Sequence, residues 1–212
     1  MNSGLFITFE GPEGAGKTTQ ITKLKEYFES QGNRCIITRE PGGTPVAEQL
    51  REIVKHHTGP ELIVDEAEVF LFAASRAQHV RNLIIPSLAE GKIVLCDRFY
   101  DSTLAYQGFA RGQDLNFLKT ITKYAICGCE PDVTLLLDID PEIGFTRTSI
   151  REETQGKVDR IEAAGLEFHQ AVRNGFLTLA DAEPTRIKVL NADQNQEELH
   201  QQIVDIITDV VK

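Results

Sequence analysis

The segment Gly11-Pro12-Glu13-Gly14-Ala15-Gly16-Lys17-Thr18 constrains the fold more than any other part of the chain. It follows a short run of aromatic and β-branched residues, Leu5 to Phe9. It opens onto Ile21, Leu24 and Phe28, apolar positions spaced by three and four in a helix that should stop near Gly32. Strand, glycine-rich turn and helix in that order make an anion cradle. Glycine lets the backbone turn and approach phosphates, and successive N–H groups at the helix start point at one place. Lys17 would then bridge the β- and γ-phosphates of a nucleoside triphosphate, and the Thr18 hydroxyl would hold Mg2+. A glycine-rich turn that only caps a helix is the bland alternative; the strand before it and the helix after it argue against that.

The remaining pattern predicts strands at Cys35–Thr38, Ile93–Cys96, Val133–Leu137 and Ile187–Leu190. Helical stretches are expected around Val46 to Lys55 and from Asp65, as N-cap, to Ile85, with little continuation past Pro86. Leu199, Ile203, Ile206 and Val210 mark the apolar stripe of a closing helix. Strands alternating with helices indicate an α/β protein whose central parallel sheet of about five strands is flanked by helices. At 212 residues the chain reads as a single domain, 1–212. Its net charge of -10, without Lys/Arg-rich runs, argues against gripping a nucleic-acid backbone. No apolar run reaches the roughly 20 residues of a membrane span, and the N-terminus lacks a secretion pattern. Four cysteines do not make a disulfide scaffold in a chain this size, and a cytoplasmic protein is expected.

Three further features bear chemistry. Asp97 follows an apolar strand, where an acid can orient Mg2+; taken alone, an Asp there often caps a turn. Arg98 would point into the same cleft. Arg39-Glu40-Pro41-Gly42-Gly43 makes a sharply turned loop that presents an arginine fork or, equally, an ordinary turn with a surface ion pair. Arg39, Arg76, Arg98, Arg147, Arg151 and Arg160 all lie in or beside such segments. In an acidic chain, polyanion binding must come from local cationic clusters of this kind. Two phosphate-bearing ligands sharing one site would need one.

With these residues in hand, the chain resembles the thymidylate kinases among the P-loop nucleoside monophosphate kinases. The resemblance spans about Leu5 to Val211 and rests on linked motifs. They are Phe9 to Thr19, Thr38 to Gly43, Phe72-Ala73-Ala74-Ser75-Arg76, Asp97-Arg98, Asp101 to Gly108, Pro131-Asp132 and Asp159-Arg160. It implies transfer of the γ-phosphoryl of ATP to thymidine monophosphate (dTMP) with Mg2+ held by Thr18 and Asp97. ATP would meet Gly11, Pro12, Glu13, Gly14, Ala15, Gly16, Lys17, Thr18 and Thr19, with Arg147 and Ala192 on the adenine side. Phe72 would stack on thymine beside Ser75, and Arg76 and Gln107 would read the polar edge of the base. Ser102, Thr103 and Tyr106 would line the base and sugar pocket, while Arg39, Arg51 and Arg98 hold the acceptor phosphate. A core aromatic is the alternative for Phe72, and a helix start is the alternative for the Asn191–Gln194 loop. The polar stretch at about 147–160 would be a mobile lid. Since Pro12 to Ala15 include no arginine, Arg151 is expected to reach the transferring phosphoryl; a plain surface charge is the alternative. The catalytic set is then Lys17, Arg39, Arg98 and Arg151, in a homodimer for which the Asp65–Ile85 helix is a candidate interface.

Cys127-Gly128-Cys129 lacks nearby partners for a zinc site, and Cys35 and Cys96 look like small core residues. His79 could support the base pocket, pack, or face solvent. Another monophosphate kinase with a different acceptor base remains a rival reading. A P-loop GTPase does not, because neither Asp-x-x-Gly after the metal strand nor Asn-Lys-x-Asp occurs.

Overall fold

The computed structural model describes residues 4–147 and 164–211. Five parallel strands, β1 (Leu5–Glu10), β2 (Cys35–Arg39), β3 (Ile93–Asp97), β4 (Val133–Asp138) and β5 (Ile187–Asn191), form one sheet in the order β2-β3-β1-β4-β5. The chain leaves β1 for one side of the sheet and later crosses to the other. The crevice at such a reversal, outside the carboxyl ends of the strands, is where open α/β sheets bind ligands. Every strand ends there on a polar residue: Glu10, Arg39, Asp97, Asp138 and Asn191.

Alternation along the strands builds two cores. Ile7, Phe9, Leu95, Leu135 and Leu137 face α1 (Lys17–Ser30) and the closing helix. Phe6, Val94, Cys96 and Leu136 pack on the opposite face with the helices between β2 and β5. Truncating one of these fully buried leucines to Ala would cost about 2–5 kcal/mol.

Helix α2 (Pro45–His56) opens with Thr44 accepting from Ala47 N and Pro45 at its first position, one residue longer at each end than the apolar pattern predicts. Helix α3 (Asp65–His79) is capped by Val64, not Asp65; Asp65, Glu66 and Glu68 sit inside the first turn, where carboxylates suit the dipole. The helical path does not stop at Ile85. It continues through a π-turn, Val80–Ile84, into α4 (Ile85–Ala89), carrying Pro86 at its start. The wider π-turn makes room for a proline ring that would strike a carbonyl in a regular helix interior.

After β3 come α5 (Tyr100–Thr103), a second π segment, Leu104–Ala110, and α6 (Leu115–Ile126), which Asp114 caps through Asn116 N and Phe117 N. Residues 141–147 are helical and α7 spans Leu166–Ala182. In α8 (Gln196–Val211) the buried stripe is Leu199, Ile203, Val204 and Ile207. Ile206 is only half-buried, at the edge of that stripe, and Val210 is exposed in the last turn of the helix. Among the described residues no helix is long and apolar enough to cross a membrane.

Candidate active site

The loop from Gly11 to Gly16 is shaped by its glycines where nothing else would fit. Gly11 has φ 129, and a Cβ there would strike the Leu137 carbonyl. Gly14 has φ 73 and faces the backbone of Gly144 in the 141–147 helix, so a side chain at Gly14 would collide with main chain. Gly16 closes the loop in the left-handed region as the N-cap of α1. Lys17 folds its ammonium over this loop, donating to Gly11 O at 3.0 Å and Pro12 O at 2.9 Å. Burial, and Arg98 after it, lower its pKa. Thr18 Oγ1 lies 3.5 Å from Asp97 Oδ2, so a hydroxyl and a carboxylate of neighbouring elements face one point at the loop.

Arg98 occupies the left-handed region at φ 67, uncommon for a non-glycine residue. Its N–H donates to Phe9 O at 2.9 Å. Beneath that turn lies Glu10, wholly buried, which accepts from Phe99 N at 2.8 Å, Ser102 N at 3.2 Å and Ser102 Oγ at 2.6 Å. The guanidinium of Arg98 donates to Gly11 O and Glu13 and lies over the Tyr106 ring, 5.3 Å from its centroid. Burial pushes the Glu10 carboxyl up to about 7, and Asp101 adds to the rise. Burial pushes Glu13 upward too, but there Arg98, Lys17 and Lys55 prevail and hold the carboxyl at about 2.

The second wall comes from the loop after β2. Arg39 pairs with Glu48 at 3.1 Å and is exposed; Glu48 accepts from Gly43 N, and Arg51 donates to Pro41 O at 2.8 Å. Arg76 is buried and pairs with Glu40 at 2.7 Å, lying over Phe99. His79, also buried, donates from Nδ1 to Glu40 at 3.0 Å and pairs through Nε2 with Thr38 Oγ1 at 2.7 Å, tying α3 to the end of β2. Breaking such a buried pair by removing one partner typically costs about 3–5 kcal/mol.

These parts line one cavity of about 1310 Å3, larger than the roughly 300–1,000 Å3 of ordinary small-molecule sites. One end holds Glu13 to Thr19 with Arg147 and Ala192; the other holds Arg39, Arg51, Phe72, Ser102, Thr103, Tyr106 and Gln107; Asp97 and Arg98 stand between. Arg147 donates to Ala192 O at 3.0 Å and Asp193 at 2.8 Å, fixing the loop after β5 against the cavity. Four of the expected residues stand behind the wall. Gly11 and Pro12 offer their carbonyls to Lys17, Ser75 accepts from Gly42 N, and Arg76 gives Nε to Glu40 and Nη2 to Phe99 O while its Nη1 is buried with no hydrogen-bond partner among the described residues. The lid expectation, with Arg151 and Arg160, lies outside the described residues. Cys96 is buried as expected, whereas Cys35 is only half-buried, since β2 is an edge strand.

Glu10, Gln20, Glu40, Glu48, Lys55 and Glu68 take part in the site or its support and were not anticipated from the sequence. Glu10 and Glu40 sit inside the motifs that mark the site, each at or just after a strand end, which is the signal that could have found them. Glu68 could have been found one turn before Phe72.

A parallel sheet of this order, with a glycine loop leading from β1 into a helix, defines a P-loop nucleotide-binding protein of the nucleoside monophosphate kinase type. The family model described as thymidylate kinase matches residues 9–203. The chain therefore belongs to the thymidylate kinase family. It is 45% identical over 211 residues to a thymidylate kinase of Maridesulfovibrio salexigens, covering 98% of this chain and 97% of that one. It is 48% identical over 204 residues to one of Deinococcus radiodurans, covering 96% of each. A crystal structure of thymidylate kinase from Ehrlichia chaffeensis superposes with a TM-score of 0.76 at 34% identity, covering 97% of this chain and 99% of that one.

Proposed function

We propose that this protein transfers the γ-phosphoryl group of ATP to dTMP, giving ADP and dTDP for dTTP synthesis. The observation that carries the reading is one cavity lined both by a triphosphate loop and by an aromatic and amide pocket, with Arg98 between them. Two nucleotides laid phosphate to phosphate match that layout. An oxygen of the dTMP phosphate attacks the γ-phosphorus, the bond to the β-bridging oxygen breaks, and ADP leaves. Such a transfer asks the protein for alignment and charge rather than for a base.

Lys17 leaves its two loop carbonyls to meet the β- and γ-phosphates, and the loop N–H groups replace those bonds. Arg98, Arg39 and Arg51 take the acceptor phosphate. Glu13, kept ionised by Arg98 and Lys17, holds the Arg98 guanidinium beside the loop. Phe72 offers a flat face to the base and Gln107 its amide, and Arg76, held by Glu40 and the Phe99 carbonyl, has its unpartnered Nη1 left to read the polar edge of the base. Arg147 and Ala192 border the adenine, and Arg151 would close on the transferring group from the 147–160 lid of one kinase domain.

The hard oxygens of Thr18 and Asp97 fit Mg2+, which keeps most of its waters and binds substrate phosphates with few protein ligands. When bound, Mg2+ offsets charge on the β- and γ-oxygens. Homodimer formation is supported by an apolar surface on α3 and α6, where exposed Phe70 and Phe117 meet edge to face with centroids 6.2 Å apart. Small nucleotide substrates and four cysteines without disulfides support a cytoplasmic enzyme without nucleic-acid or membrane partners. A coupled ADP-release assay with ATP, Mg2+ and each nucleoside monophosphate tests the reading. dTMP should be preferred by a wide margin, and equal rates with the other monophosphates would reject it as the substrate.

A further inference from the structure

Helix α3 carries Glu68, Phe72 and Arg76 at successive turns. Glu68 has no exposed surface, and its carboxylate accepts from Gln107 Nε2 at 2.8 Å, Arg111 Nε at 2.9 Å and Arg111 Nη2 at 3.2 Å. Arg111 follows the π segment that carries Gln107, and its guanidinium also lies over Phe168, 5.4 Å from the ring centroid.

A carboxylate bound to a guanidinium offers only acceptors, whereas an amide has one end that donates and one that accepts. Which way an amide points is commonly ambiguous; here the acceptor beside it decides. With Nε2 committed to Glu68, the atom that Gln107 turns to the cavity is Oε1, which has no hydrogen-bond partner among the described residues.

We infer that Glu68 is a specificity-determining positioning residue, which locks the Gln107 amide so that the base pocket presents an acceptor and admits a pyrimidine with a protonated N3. This rests on the reading of that pocket as the thymidylate site. Thymine donates N3–H to Oε1. Cytosine brings an N3 lone pair to the same oxygen, so two acceptors meet without a proton between them. Sites that hydrogen-bond one substrate group reject analogues lacking it far better than apolar pockets do, because the buried partner is left unpaired.

The test compares kcat/KM for dTMP and dCMP in the wild type, Gln107→Leu, Arg111→Met and the double variant Glu68→Met/Arg111→Met. The double variant removes both charges together, leaves neither buried alone, and is the safer one to fold than Glu68→Met by itself. Arg111→Met leaves Glu68 buried without its guanidinium, so it should be the least stable of the set, with a ratio between those of the wild type and the double variant. In the double variant the amide can rotate and offer Nε2 to cytosine. The dTMP-to-dCMP ratio should fall at least about tenfold, with kcat/KM for dCMP rising in absolute terms and the change lying mainly in KM. General loosening would lower both substrates together. A double variant that melts cooperatively and keeps the wild-type ratio overturns the inference. If Gln107→Leu loses discrimination while the double variant does not, Glu68 alone is excluded and the thymidylate pocket stands. If Gln107→Leu also discriminates normally, the amide does not read N3 and the inference falls, whereas a wild type that does not prefer dTMP to dCMP removes the pocket assignment itself.

Discussion

Glu10 gives the sharpest physical test of how the site is supported. It ends β1 with no exposed surface and accepts three hydrogen bonds from the turn that presents Arg98. Those bonds favour the ionised carboxylate, yet burial and then Asp101 outweigh them and push the carboxyl from 4.5 up to about 7. A carboxyl raised by folding binds its proton more tightly in the folded chain. Its contribution to stability is therefore complete below pH 4.5 and is lost as pH climbs through about 7. At about 1.4 kcal/mol per pH unit the whole span amounts to roughly 3 kcal/mol. For a chain of this size that corresponds to roughly 6–12 °C in Tm. Glu10→Gln keeps the shape and one acceptor oxygen but cannot titrate. Scanning calorimetry of both proteins from pH 5 to pH 8 should show the variant gaining on the wild type by roughly 6 °C or more, most of it between pH 5 and 7. Titrating groups far from Glu10 are common to both and cancel in the difference. A difference that stays flat across that range would refute a carboxyl titrating near neutrality under Arg98.

Four other outcomes follow from the geometry. Asp97→Asn, which keeps the shape but removes the charge facing Thr18, should lower kcat at least about a hundredfold and raise the Mg2+ concentration needed for half-maximal rate; an unchanged Mg2+ titration would remove Asp97 from the metal. Gly14→Ala places a methyl group against the Gly144 backbone at φ 73 and should cost about 1–3 kcal/mol by denaturant titration, with weaker ATP binding; wild-type values on both counts would show that the loop can shift. Arg151→Ala should lower kcat at least about a hundredfold with little change in KM for dTMP, and near-normal turnover would exclude it from the transition state. Phe70→Glu, aimed at the exposed Phe70–Phe117 pair, should convert a dimer to monomer in sedimentation velocity, and an undisturbed dimer would place the interface elsewhere.

Most of the fold was legible because it rests on local repeats. The strands alternate or run fully apolar, and the glycine loop links the first of them to a helix whose buried residues are Ile21, Leu24 and Phe28, as their spacing requires. What escaped was set by tertiary context. The π-turn at Val80–Ile84 that carries the chain past Pro86 has no sequence signal of its own. Helices α6 and α7 did have signals, the Asp114 cap and the spacing of Val172, Phe176 and Leu179. At the site, arginines stand out in an acidic chain, so Arg39, Arg51 and Arg98 were found. Their carboxylate partners were not, since Glu10, Glu40 and Glu68 are three of the 32 acidic residues and only folding shows which are buried. Arg76 shows the opposite limit: sequence marks it as part of the site, while its pairing with Glu40 behind the cavity wall is visible only in three dimensions.

If one continuous cavity holds two nucleotides end to end, a single molecule carrying both should fill it. Isothermal titration with adenosine and thymidine joined through a chain of five phosphates measures this directly. One probe should bind per chain, more tightly than either ATP or dTMP, and each of them should displace it in competition. A probe displaced by only one of the two, or bound no better than a single nucleotide, would contradict that arrangement.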